Sequence, residues 1–172
     1  ATTMHLFSAQ MCTSPQNIYI PRGGIDVGGR RVGVDEVCAA LAAAYRGVTA
    51  DPRRAASILA AIQSPSTLEL IGCMRDAGAR QGSIVVDSGP YAHPEHPAAR
   101  TATPLLLRVT PAARALYCEE RFGPIGFVIE TDDAAAALQA ATSDVRDAGG
   151  ITAFAYSTRD EFLAAAESAY AA

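Results

Sequence analysis

The sequence predicts an α/β domain of three layers, with helices on both faces of a mostly parallel sheet. Short apolar runs rich in β-branched residues alternate with segments of helical period along the chain. The segments between those runs are long enough to hold whole helices. At 172 residues, 49% apolar and 19% charged, the chain suits one domain with a sizeable core.

Asn17-Ile18-Tyr19-Ile20 reads as a strand stopped by Pro21. Arg22 to Gly33 is glycine-rich and polar and reads as a loop, with Gly23-Gly24 and Gly28-Gly29 supplying permissive backbone for turns. Val34, Val37, Cys38, Leu41, Ala42 and Tyr45 recur at helical spacing, and Gly47 is the expected stop. Asp51-Pro52 is an N-cap followed by proline at the first helical position, with Ile58, Leu59 and Ile62 as the apolar face. Ser66-Thr67-Leu68-Glu69 fits a capping box for a helix ending near Gly78. Ser83 to Asp87 reads as a buried strand, Thr103 to Val109 as another, and Ile125 to Ile129 as a third. Thr131-Asp132-Asp133 opens an alanine-rich helix to about Val145. Ile151 to Tyr156 reads as a strand, and Thr158-Arg159-Asp160-Glu161 as a capping box for the last helix.

The net charge of -4 argues against a nucleic-acid or anionic-membrane surface, because both need a basic footprint. No apolar run approaches the length of a membrane span. The four cysteines, Cys12, Cys38, Cys73 and Cys118, are widely spaced, which points to free thiols in a reducing, cytoplasmic setting. No metal site is expected. His93-Pro94-Glu95-His96 has two imidazoles but no further ligands and reads as a polar loop.

Among the thiols, Cys38 and Cys73 fall in helical patterns and are expected in the core. Cys118 precedes two carboxylates, which disfavour a thiolate. Cys12 lies in Phe7-Ser8-Ala9-Gln10-Met11-Cys12-Thr13, where Gln10 and Thr13 fit a polar turn around the sulfur. A reachable thiolate there is a candidate nucleophile. Without further information, a small buried hydrophobe is the plainer reading of such a residue. Glu119 and Glu120, taken as neighbours on a strand, point to opposite faces and do not form a shared acid-base dyad.

The run around Cys12 and the later run Glu119-Glu120-Arg121-Phe122-Gly123-Pro124 resemble, in this order, the two catalytic-domain signatures of the aldehyde dehydrogenase family. The resemblance covers nearly the whole chain. It implies that Cys12 is the catalytic nucleophile, forming a thiohemiacetal and then a thioester. It implies that Glu120 binds the ribose hydroxyls of NAD or NADP, that Phe122 packs near the nicotinamide, and that Gly123-Pro124 shapes the turn into the next strand. The substrate is then a small-molecule aldehyde. Gln10 to Asn17 is most similar to the phenylacetic acid degradation (PaaN-type) branch of bacterial enzymes. Ser143 to Gly150 stands where many members carry a different run, which leaves the substrate pocket open.

In this family the general-base Glu, an oxyanion-hole Asn and most of the dinucleotide site belong to a separate cofactor domain of the same polypeptide. Residues 1–172 are therefore expected to be a catalytic-domain piece of a homo-oligomeric protein, inactive alone. Two other readings stand beside this one. One is a binding module that kept the fold without the chemistry. The other is a cysteine hydrolase or acyltransferase, which needs a histidine beside the thiol in space.

Overall fold

The computed structural model describes residues 2–171. A four-stranded sheet forms the centre, in the order β1 (Asn17–Pro21), β6 (Ile125–Thr131), β5 (Leu105–Val109), β4 (Ser83–Val86). β1, β6 and β5 run parallel, and β4 is antiparallel to β5 at the edge. The mostly parallel three-layer architecture read from the sequence is the one observed.

Alternation along the central strands builds two cores. Leu105, Leu107 and Val109 of β5 join Ile125, Phe127 and Ile129 of β6 on one face. Leu106 and Val128 point to the other face, where they meet Val34, Cys38 and Tyr45 of α2 (Val34–Thr49). The first face is covered by α4 (Pro65–Gln81), which contributes Ile71, and by the short α5 (Arg114–Tyr117). On this face α6 (Ala134–Ala148) is tied to β1 by a hydrogen bond from Tyr19 Oη to Asp144 Oδ2 at 2.6 Å. α7 (Asp160–Ala171) packs on α6. Both faces of β5 and β6 are thus dry, as their continuous apolar runs require.

Several boundaries differ from the sequence expectation, each for a physical reason. Arg22 to Gly33 is a hairpin rather than a loop: β2 (Ile25–Val27) pairs antiparallel with β3 (Arg30–Val32). Gly28 and Gly29 both take positive φ (57° and 77°), as a tight two-residue hairpin turn demands. α2 runs through Gly47 to Thr49. α3 (Pro52–Ile58) is capped by the Asp51 carboxylate as expected, but Leu59 and Ile62 follow it in an irregular strap and are buried there. α4 is capped by Ser64 with Pro65 at its first position, not by Ser66, and it runs past Gly78 to Gln81. Asp133 caps α6 through Ala136 N, and the helix extends to Ala148. Before α7, Ser157 Oγ accepts from Arg159 N.

Three expectations of burial fail. β4 is a half-exposed edge rather than a buried strand. Ile151 to Tyr156 forms no strand, and Ile151, Phe154 and Tyr156 face solvent. Cys73 is exposed, because the inward stripe of α4 runs through Leu70, Ile71, Met74 and Ala77 and leaves it on the outer side.

Two stability predictions follow from this packing. A Cβ at Gly78 would lie 2.6 Å from Leu107 Cδ1, and Leu107 is fully buried. Gly78→Ala should therefore cost about 1–3 kcal/mol by overpacking, read as a lowered urea midpoint; an unchanged midpoint would mean that Leu107 moves aside freely. His5 is fully buried, and among the described residues neither ring nitrogen has a partner. Burial lowers its pKa from 6.5 to about 3. The unfolded chain takes up this proton below pH 6.5 and the fold does not, so stability should fall as pH drops from 6.5 towards 3. The slope from this group is at most ~1.4 kcal/mol per pH unit. Chemical denaturation of His5→Phe across that window should show the slope reduced.

Candidate active site

The turn that carries Cys12 begins in strain. After α1 (Thr2–His5), the residues Phe7, Ser8 and Ala9 take φ of 53°, 56° and 50°. Left-handed backbone costs a non-glycine residue about 1–2 kcal/mol, so a run of three persists only if its surroundings hold it. Two side chains do this. Ser8 is buried and donates to Ala60 O at 2.9 Å. Gln10 Nε2 donates to Ala61 O at 3.0 Å, and its Oε1 accepts from Gln63 N at 2.9 Å. Both act on the strap that follows α3. Arg100 holds that strap from beyond, donating to Ile62 O at 3.0 Å and Gln63 O at 2.8 Å. The chain then turns back, with Ser14 N donating to Met11 O at 3.0 Å, and Cys12 and Thr13 lie exposed at the apex.

Glu120 and Phe122 lie in the irregular connection between α5 and β6, not on a strand, and both are exposed. β1 and β6 are parallel neighbours, with Asn17 opposite Phe127. The segments that precede them therefore emerge side by side at the same end of the sheet. Gln16 joins them. Its Nε2 lies 3.1 Å from Tyr117 O and 3.2 Å from Glu119 O, and its Oε1 accepts from Arg121 N at 2.7 Å. Asn17 Nδ2 also donates to Tyr117 O, at 3.0 Å. Arg121 turns back to donate to Leu116 O and Ala115 O, so the last carbonyls of α5 are satisfied by side chains from both segments. Gly123 has φ of 153°, and Ile125 N donates to its carbonyl as the chain bends into β6.

The two adjacent carboxylates differ. Glu119 is paired with Arg121 at 3.3 Å. Among the described residues, Glu120 takes no ion pair and no side-chain hydrogen bond, so its oxygens are available to an incoming donor. Phe122 is 47% exposed and offers a ring face to solvent. Leu6, Phe7 and Met11, around the Cys12 turn, also present apolar surface.

A cleft of about 510 Å³ is lined by Arg22, Arg114, Tyr117, Glu130, Asp132 and Asp144 among others. Both of its arginines are already paired, Arg22 with Glu130 and Asp132, and Arg114 with Asp144 and Asp147. It therefore offers no uncommitted cation to a ligand. Burial pushes the Tyr117 hydroxyl up to about 12, which keeps that ring neutral. No group of His, Cys, Asp and Glu among the described residues is arranged to hold a metal ion. His93 accepts from Glu95 N and His96 N through Nδ1, in a local turn. His5 is sealed in the core against Tyr45 rather than turned to a thiol.

The fold and the Gln16 ties together define an α/β domain whose exposed Cys12 turn precedes β1 and whose uncommitted Glu120 carboxylate precedes β6, at the same end of the sheet. Residues 1–169 match the sequence profile of the aldehyde dehydrogenase family, and the chain belongs to that family. Among solved structures, it is similar to an NAD-dependent aldehyde dehydrogenase from Burkholderia multivorans, at 39% identity and a TM-score of 0.93 over 99% of this chain and 30% of that one. An NAD-dependent benzaldehyde dehydrogenase from Corynebacterium glutamicum shares the fold at 19% identity and a TM-score of 0.69, over 98% of this chain and 33% of that one. So does a 1-pyrroline-5-carboxylate dehydrogenase from Thermus with bound NAD, at 22% identity and 0.63, over 98% and 30%. Among curated proteins none matches. The chain thus spans about a third of the length of the structures it resembles.

The structure places Cys12, Glu120 and Phe122 on exposed irregular segments, and it adds the Gln16 and Arg100 ties, which join segments far apart in the chain and which sequence reasoning did not reach. The thiols yield a direct check. Brief alkylation with iodoacetamide followed by peptide mass spectrometry should label Cys12 and Cys73 and spare Cys38, which is buried and whose thiol burial pushes up. Protection of Cys12 would show that the turn closes over it.

Proposed function

We propose that this chain carries the nucleophile and part of the dinucleotide contacts of an NAD-dependent aldehyde dehydrogenase. The observation that supports this best is the set of Gln16 hydrogen bonds, which joins the segment after the exposed Cys12 turn to the peptides on either side of Glu120, a carboxylate with no partner of its own among the described residues. When bound, the nicotinamide cofactor supplies the acceptor for the hydride that the aldehyde carbon gives up. With the cofactor bound, Glu120 would accept hydrogen bonds from the ribose hydroxyls, and Phe122 would offer its exposed ring to the nicotinamide.

The chemistry of the chain's own residues centres on sulfur. The Cys12 thiolate adds to the carbonyl carbon, forming a C–S bond and placing the electron pair on oxygen. Loss of hydride from this adduct leaves a thioester on Cys12. Water then cleaves the C–S bond, releasing the acid and returning the thiol. The strained, doubly tied turn keeps the sulfur at a fixed place, which is how an enzyme gains from proximity without paying for order at each turnover.

The run Gln10 to Asn17 supports a place in phenylacetate degradation, and the exposed Phe7 and Met11 favour an apolar aldehyde. We assign the general base, the oxyanion donor and most of the nucleotide site to a cofactor domain outside these 172 residues, within a cytoplasmic homo-oligomer. NAD rather than NADP is proposed as acceptor by analogy with the Burkholderia protein. Two outcomes are expected. In the complete dehydrogenase polypeptide, Cys12→Ser should lower turnover by about a thousandfold or more, followed as NADH absorbance, and turnover at the wild-type rate would refute the role of Cys12. The 172-residue chain by itself should reduce NAD at no measurable rate.

A further inference from the structure

Glu120 has no tie of its own, yet it sits in an irregular connection where its carboxylate needs a fixed position. The peptide groups on either side of it are both held, and by the same side chain. The carbonyl of Glu119, which forms the peptide before Glu120, lies 3.2 Å from Gln16 Nε2. The amide N–H of Arg121, which forms the peptide after it, donates to Gln16 Oε1 at 2.7 Å. The main chain of Gln16 is itself locked to the sheet, its carbonyl accepting from Phe127 N at 3.0 Å. Cys12 lies four residues back along the same turn.

We propose that Gln16 is a positioning residue that sets the place of Glu120 relative to Cys12, and so the distance between the nucleotide and the aldehyde carbon. This rests on the dehydrogenase reading above. The task needs a donor and an acceptor on neighbouring atoms at the end of a two-methylene stem, which the glutamine amide provides. Glutamate keeps the acceptor for Arg121 N but cannot donate to Glu119 O. Methionine matches the length and provides neither bond. A mere capping role is already covered, because Asn17 Nδ2 donates to Tyr117 O as well and Arg121 satisfies the two carbonyls before it. Loss of the Gln16 amide therefore frees the peptides around Glu120 while leaving the end of α5 capped.

The test is a double-mutant cycle in the complete dehydrogenase polypeptide. Gln16→Met should raise KM for NAD by about tenfold, while KM for the aldehyde and the rate of Cys12 alkylation without NAD stay within about twofold. Glu120→Ala should raise KM for NAD as well. The two together should do no more than Glu120→Ala alone, because Gln16 acts through Glu120. Full additivity, or a Gln16→Met variant with wild-type KM for NAD, would overturn the proposal. So would a rise in that KM matched by an equal change in Cys12 alkylation, which a general loosening of the fold would cause. If Gln16→Met does not fold, Gln16→Glu, which loses only the bond to Glu119 O, should raise the same KM by a smaller factor, and a wild-type KM for NAD in it would overturn the proposal. The parent reading fails separately, through undiminished turnover of Cys12→Ser or an unaltered KM for NAD in Glu120→Ala.

Discussion

The parallel pairing of β1 with β6 is the constraint on which the rest of this molecule depends. Two strands far apart in sequence lie side by side, with Asn17 opposite Phe127 and Pro21 opposite Thr131. Parallel neighbours start at the same end of a sheet, so whatever precedes one lies beside whatever precedes the other. The register decides which residues those are. A slip of one residue would turn every side chain of β1 to the wrong face and separate the Gln16 amide from the peptides that it holds. β6 is buried along nearly its whole length, which fixes that register with hydrophobic energy rather than with the polar contacts of Gln16.

On this frame the polar groups sort into committed and uncommitted. Arg108 of β5 is bound to Glu130 of β6 and to Asp35 at the start of α2, which stitches the sheet to the helix on one face. Asp144, buried in α6, accepts from Tyr19 and Arg114 on the other. Glu119 is taken by Arg121. Glu120 and Cys12 belong to the uncommitted set, the one a carboxylate without a partner among the described residues and the other an exposed thiol. Both are borne by irregular segments, as binding groups often are, and both segments are stiffened by glutamine side chains rather than by secondary structure.

Much of the fold was legible because the strongest signals are local. β5 and β6 are continuous apolar runs, Asp51-Pro52 and Asp133 are unambiguous helix starts, and each lies within a residue or two of the observed element. Ser64 and Ser66 are equally good caps on type alone, and Pro65 was the signal that should have decided between them. Gly28-Gly29 marked the hairpin turn, but strands as short and polar as Arg30–Val32 carry no periodicity to read. The inward stripe Leu70, Ile71, Met74, Ala77 excludes Cys73 once the helix is counted from Pro65. At the candidate site, residue types and motif order pointed to Cys12, Glu120 and Phe122, and the structure leaves all three exposed. The ties through Gln16 and Arg100 were not readable, because a hydrogen bond from an amide side chain to a distant main chain leaves no pattern in one sequence.

The stretch from Ile151 to Tyr156 shows what happens when strand propensity finds no sheet edge. Six residues in a row carry neither charge nor proline, and the largest of them stand open to water. Such a hexapeptide is a template for cross-β stacking between molecules. Left open in this way, the hexapeptide has the composition of a cross-β segment and no partner strand among the described residues.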